Sequence, residues 1–197
     1  KGLCLKMNTL VGREVRLEPL ATHHIPELFL ALGNDEEAWR WMVAKTPTNM
    51  AEMANFVGNL LSNYAAGSRE PYAVIHLQSG KAIGTTSYMD IARSDKAVEI
   101  GSTIYARQFW RTAVNTETKL LLLTEAFEVQ DYRRVALKTD SENQRSRAAI
   151  LRLGARYEGT LRAHKIRTDG SSRDTVYFSI LKNEWPEIKI RLTEALR

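Results

Sequence analysis

The sequence predicts a single α/β domain whose mixed central sheet, about seven strands wide, is flanked by helices. Three observations lead there. A short alternating strand gives way to helical periodicity, then to three closely spaced strand segments, then to strands and helices in alternation. The 197 residues suffice for one mid-sized core and fall short of two ordinary domains. Hydrophobic residues at 44% and charged residues at 26% belong to a globular chain, and the apolar stretch Leu120 to Leu123 is far too short to cross a bilayer.

Over residues 14–18, Val15 and Leu17 alternate with charged neighbours and Pro19 closes the strand. Over 23–32, Ile25, Leu28, Phe29 and Leu32 recur at three- and four-residue steps, an amphipathic helix stopped by Gly33-Asn34-Asp35. A short helix through Ala38, Trp41 and Met42 follows. Asn49 is the N-cap of the next helix, which buries Met53, Phe56, Val57, Leu60, Leu61 and Tyr64 and ends before Gly67. Strands are expected over 72–77, 82–89 and 97–105, the first two joined by the turn Gln78-Ser79-Gly80-Lys81. Then come a long helix over about 113–130, a strand over 135–139, and a helix over about 142–153 stopped by Gly154. Strands over 157–167 and 173–181 flank Asp169-Gly170, and a last helix over 184–196 carries Pro186 in its first turn. Residues 1–12 lack a continuous apolar core and read as an N-terminal extension rather than a secretory leader, leaving 13–197 as the domain.

The net charge of +5 is uneven: residues 1–90 hold 8 Lys/Arg against 9 Asp/Glu, and residues 91–197 hold 20 against 14. A basic second half suits nucleic acid, an acidic protein surface or a phosphorylated small ligand, or is simply a solvated face. Interleaved aromatic and basic positions are missing, so no nucleic-acid partner is expected, and no membrane partner either. The lone Cys4 excludes an internal disulfide framework and points to a reducing, cytoplasmic compartment. No His, Cys and carboxylate spacing matches a metal site, so no metal is expected.

Two segments carry chemistry. Residues 105–117 join a strand to the long helix, whose first turn offers free backbone N–H groups and the positive end of its dipole. Thr112 and Ala113 are small enough there to let a phosphate approach. Further on, Ser141 followed by Gln144 is a capping box, and Asn143 and Ser146 share one face of the helix it starts. Each alone also reads as an ordinary helix entry.

Together they resemble the GNAT superfamily of N-acetyltransferases, and within it the RimJ/RimL-like branch that acetylates N-terminal amines of ribosomal proteins. Trp110-Arg111-Thr112-Ala113-Val114-Asn115-Thr116-Glu117 is similar to that branch's Trp-Gly-x-Gly-x-Ala-Thr-Glu loop. Trp110, Thr116 and Glu117 match; Arg111 and Ala113 stand where the glycines do, and Asn115 replaces a small residue. Asn143-x-x-Ser146 ahead of Leu153-Gly154-Ala155 resembles the family's second element. The two motifs cover about residues 98–160, and Val15 to Leu20 and the last strands extend the likeness over most of the chain.

The resemblance implies a GNAT fold with splayed central parallel strands and acetyl-CoA in the gap between them. It places the pantetheine amides on the backbone of Thr103, Ile104 and Tyr105. The pyrophosphate would lie on Trp110, Arg111, Thr112, Ala113, Val114 and Asn115, with Asn143 and Ser146 against the pantetheine arm and thiol. Arg145, Arg147 and Arg152 face the CoA 3′-phosphate or solvent. The implied reaction is direct acetyl transfer to a primary amine of a protein N-terminus, an amino acid or a small amine. That step needs a group to take the amine's proton and a donor to the departing thiolate. By position Ser146 is the donor and Glu99 the leading base, on one strand face with Gly101 and Thr103. Where the ribosomal branch has a glutamate on a later strand, this chain reads Arg162-Ala163-His164-Lys165, and His164 is the alternative base. Trp39 and Trp41 fall where the acceptor pocket is built. Relatives are often homodimers. A non-catalytic CoA-binding module of the same fold is the competing reading.

Overall fold

The structure, a computed structural model, describes residues 7–197, so Cys4 lies outside the described residues. The strands are β1 (Leu10–Val11), β2 (Val15–Pro19), β3 (Arg69–His76), β4 (Lys81–Ala92), β5 (Ala97–Tyr105), β6 (Arg134–Asp140), β7 (Arg156–Ile166) and β8 (Ser172–Leu181). The helices are α1 (Ile25–Leu32), α2 (Glu36–Trp39), α3 (Met50–Ala65), α4 (Ala113–Thr124), α5 (Gln144–Leu153) and α6 (Trp185–Ala195). One sheet runs in the order β1-β2-β3-β4-β5-β6-β8-β7, and every neighbouring pair is antiparallel except β5 and β6.

Side chains alternate along β3 and thereby sort the core into two layers. Tyr72 and Val74 join the layer that α4 and α6 cover, with Leu122, Phe127, Ile180 and Trp185. Ala73 and Ile75 join the layer under α1 and α3, with Leu28, Leu32, Met53 and Val57. The alternating and helical patterns of the sequence are thus the two faces of one sheet.

Three elements differ from expectation. Leu10 and Val11, read as part of an extension, pair with Leu17 and Arg16 as an eighth strand, and Met7 is buried in the core. The helix expected to run to residue 130 is α-helical only to Thr124 and continues as a π turn over Glu125–Val129. The Tyr88 hydroxyl donates to Leu122 O at 2.5 Å just before the change, and Gln130 N then bonds Glu125 O across the wider turn at 2.9 Å. The helix expected from 142 begins at Gln144 under Asn143, because Ser141 N is taken by Asp174 O and Asn143 Oδ1 accepts from Ser146 N at 3.0 Å.

Glu117, one of the loop-motif matches, has a structural task. From α4 it reaches the β1–β2 turn, where its carboxylate accepts the backbone N–H groups of Arg13, Glu14 and Val15 at 2.8, 2.7 and 2.8 Å. The fit is close: a Cβ on Gly12 would lie 2.4 Å from the carboxyl carbon. Glu117→Ala strands these donors around a buried gap and is expected to cost about 3 kcal/mol, read as a lowered midpoint of chemical denaturation.

Candidate active site

The parallel pair β5–β6 is registered only at Ala97↔Arg134, Val98↔Val135 and Glu99↔Ala136. Beyond Glu99 the two strands part. On its other edge β5 carries a bulge, where Gly101 opposes Ser87 and Ile104 opposes Thr85, leaving Ser102 and Thr103 against Thr86 alone. Ser102 takes φ +51°, and the bend it introduces carries β5 away from β6. A cavity of about 480 Å³ lies in this gap and extends over the sheet face below α3.

The cavity brings together Glu99, Thr103, Asn143, Ser146, His164 and Trp41 from distant parts of the chain. Trp39, expected beside Trp41 at the acceptor, is instead a core residue. Its indole N–H donates to Leu32 O at 2.8 Å and its ring meets Phe56 edge-on at 4.8 Å. Trp41 remains at the wall, with the Arg40 guanidinium 5.0 Å above it.

Glu99 is buried and ion-paired with Lys138 at 2.6 Å, and Lys138 also reaches Asp90 at 2.6 Å. Burial pushes the Glu99 carboxyl up from its ordinary range; Lys138 opposes this and Asp90 reinforces it. Burial works to lower the Lys138 ammonium's pKa, but the two carboxylates together outweigh it and hold it above its ordinary value. His164 lies on a bulge of β7, where Leu161 pairs with Thr175 and Lys165 with Arg173, leaving three residues unpaired between. Ala163 there takes φ +48° with its N–H on Asp174 at 2.7 Å, and the His164 ring packs 5.9 Å from Tyr177. Desolvation and then the nearby Lys165, Lys138 and Arg173 charges lower the His164 pKa.

The loop motif sits at the other end of β5. The Trp110 indole donates to Tyr105 O at 3.0 Å and stacks under the Arg145 guanidinium at 3.3 Å, so it ties the strand end to α5. Thr112 caps α4 through Val114 N at 3.3 Å, and the Tyr105 hydroxyl bonds Asn115 Oδ1 at 3.2 Å. Val114 and Ile104 are buried, which leaves only their backbone for a ligand. Arg111, at a position of the family's glycines, adopts φ +61°, the left-handed backbone a glycine takes without strain. Arg147 is occupied by Ser141 O at 3.1 Å, whereas Arg152 is exposed.

Sequence reading missed several cavity residues: Lys119, Arg69, Lys138, Asp90, Arg173 and Thr175. Only Lys119 leaves a clear sequence signal, since it precedes Leu122 and Leu123 by three and four residues and so lies on the apolar face of α4. Its ammonium donates to Thr103 Oγ1 at 2.6 Å, which lies 2.8 Å from Thr86 Oγ1. Among the described residues one group, Glu18, His23 and His24, offers metal-type ligands within 4.8 Å. His24 uses both ring nitrogens, accepting from Ala21 N at 3.1 Å and donating to Glu18 at 3.0 Å.

Burial lowers the Lys119 pKa from 10.5 to about 7. Between those values the unfolded chain holds a proton that the folded one lacks, so this group's contribution to stability climbs with pH. Below about pH 7 the fold must keep a buried ammonium. Lys119→Met is therefore expected to be more stable than the parent near pH 6, by about 1–3 kcal/mol, with the gap closing toward pH 10. Guanidinium denaturation across that range measures it.

With this geometry in place, the comparisons with known proteins converge. A family model described as an acetyltransferase (GNAT) domain matches residues 14–156. The chain belongs to the GNAT acetyltransferase family and is an acetyltransferase. It is 28% identical over 175 residues to a Bacillus subtilis protein named "Putative ribosomal N-acetyltransferase YdaF", covering 86% of this chain and 90% of that one. A crystal structure of a GCN5-related N-acetyltransferase from Brucella melitensis superposes with a TM-score of 0.91 at 32% identity, over 98% of this chain and 86% of that one. Mycobacterium smegmatis RimJ, solved in complex with CoA-disulfide, shares the fold at a TM-score of 0.79 and 20% identity, over 93% and 90% of the two chains.

Proposed function

We propose that this enzyme moves the acetyl group of acetyl-CoA directly to a primary amine: a protein N-terminus, an amino acid or a small amine. The observation that carries the reading is the parting of β5 from β6, with the buried Glu99–Lys138 pair at its base and a cavity in the gap that Thr103 and Lys119 help to line. The cavity has the size of a small-ligand cleft. The open edge of β5 suits a chain of amides, and the first turn of α4 beside Arg111 suits a diphosphate. Thr103, Ile104 and Tyr105 would hold the pantetheine by backbone, and residues 110–115 the pyrophosphate. The RimJ neighbour's CoA derivative supports the same cofactor class.

When bound, acetyl-CoA supplies an acetyl group activated as a thioester. Glu99 takes the proton released as the amine nitrogen bonds to the acetyl carbon, directly or through water. Ser146 donates to the sulfur as its bond to that carbon breaks, and solvent then restores both groups. The raised Glu99 pKa suits a base working near neutrality, and Asn143, by capping α5 at Ser146 N, fixes where the hydroxyl sits. His164, which also lines the cavity, is the second base. A cytoplasmic homodimer completes the reading, and sedimentation velocity checks the dimer.

Two expectations test the assignment. Glu99→Gln is expected to lower kcat by about 100-fold and to remove the acid limb of the pH profile, with Ser146→Ala lowering kcat by about 10-fold. An acetyl-CoA consumption assay across amines reads both, and unchanged turnover in both variants would sink the catalytic assignment. Arg111→Gly is expected to relieve about 1 kcal/mol of backbone strain and raise the melting temperature. It should also weaken CoA binding at low salt, with the loss fading as salt is added.

A further inference from the structure

The cavity holds more cations than carboxylates, and two of the cations are only loosely held. Lys and Arg line the cavity at six positions and carboxylates at three. The carboxylates are already engaged: Asp90 and Glu99 by Lys138, and Asp140 by Arg167 through two bonds of 2.7 and 3.0 Å. Arg167 is held further by Glu142 at 2.9 Å. Lys119 is held by Thr103 and Arg145 by the Trp110 ring, so what remains is Lys165 of β7, Arg173 and Arg69.

Arg173 lies on β8 two residues before Thr175, so both side chains rise from the same face. Its Nε is buried with no hydrogen-bond partner, and its nearest carboxylate contact, Asp140 at 3.9 Å, is too long to be one. Thr175 Oγ1 is also buried without a partner, on a residue only 1% exposed. Two orphan polar atoms on residues that line one cavity are uncommon in a settled interior, where buried donors find acceptors. Arg69, at the start of β3, is registered with Met89 and through it with Glu99. It has only a long contact to Ser87 Oγ at 3.4 Å. The two arginines stand on strands to either hand of Glu99 along the same sheet face, each within reach of its field.

Building on the acetyl-transfer reading above, we propose that the acceptor is an acidic amine. Its amine meets Glu99, and a carboxylate elsewhere in the same molecule is bound by Arg173 and Thr175, with Arg69 adding attraction from the other side. A guanidinium and a hydroxyl on one strand face both offer donors to the oxygens of a carboxylate. The excess of cations disfavours a purely cationic amine by like-charge repulsion.

Matched acceptors test this: short peptides and free amino acids supplied as acid and as amide, for example glutamate against glutamine at one position. The expected result is a kcat/KM about 10- to 100-fold higher for the acid member. Arg173→Met should bring the ratio of acid to amide near unity, Arg173→Lys should restore part of it, and Thr175→Val should lower it by a smaller factor. CoA affinity, measured for each variant, reports that it is folded. Equal rates for acid and amide, or a ratio that Arg173→Met leaves unmoved, overturn the acidic acceptor while acetyl transfer stands. No acetyl-CoA consumption with any amine overturns both. Preference for the free amino acid or for the peptide then identifies which source of the carboxylate the site takes.

Discussion

The fold turns on a parallel strand pair only three residues long. Val98 and Val135, both buried against α4 and α6, hold β5 and β6 together at the base. The Ser102 bulge then draws β5 toward β4 and away from β6. A buried backbone edge left unpaired is costly, because each N–H and C=O loses water without gaining a partner. Antiparallel neighbours satisfy the far edge of β5, so its near edge is kept for a ligand. The cavity and the position of Glu99 at its base both follow from where pairing stops.

Charge at the base obeys the same economy of partners. Lys138 serves two carboxylates, which keeps Glu99 ionisable in a site that would otherwise force it neutral. Lys119 has a hydroxyl and no carboxylate, so the fold holds it only by depressing its pKa. Such an arrangement lowers stability around neutrality, and proteins tolerate that where a site gains from it. Glu117 works in the opposite direction, committing a buried carboxylate to three backbone donors to fasten the first strands to α4.

Much of the fold was legible because its signals are local. The alternation at Val15 and Leu17, the helical spacing from Ile25 to Leu32 and the stop at Gly154 each depend on near neighbours. The eighth strand was not legible, since two residues give no period and Leu10–Val11 is ordered by Glu117, more than a hundred positions away. The site divides the same way. Glu99, Ser146 and His164 could be named from motif order, and all three line the cavity. Trp39 and Trp41 could not be told apart, because the short helix ends at Trp39, whose ring enters the core, while Trp41 in the turn beyond it stays at the wall. Arg69, Arg173 and Thr175 were invisible, for their interest lies in partners they lack.

Backbone strain points to the same part of the molecule. Among the described residues seven other than glycine have positive φ: Asn34, Asp90, Lys96, Ser102, Arg111, Asp131 and Ala163. Asn34, Lys96 and Asp131 lie in connections between elements. The other four surround the site: Asp90 and Ser102 line the cavity, Ala163 sets the bulge that turns His164, and Arg111 opens the loop into α4. Glycine would adopt each of these conformations with less strain, and at Arg111 the family pattern has one. A guanidinium held there in its place trades backbone ease for positive charge at a helix start, a combination that favours anions.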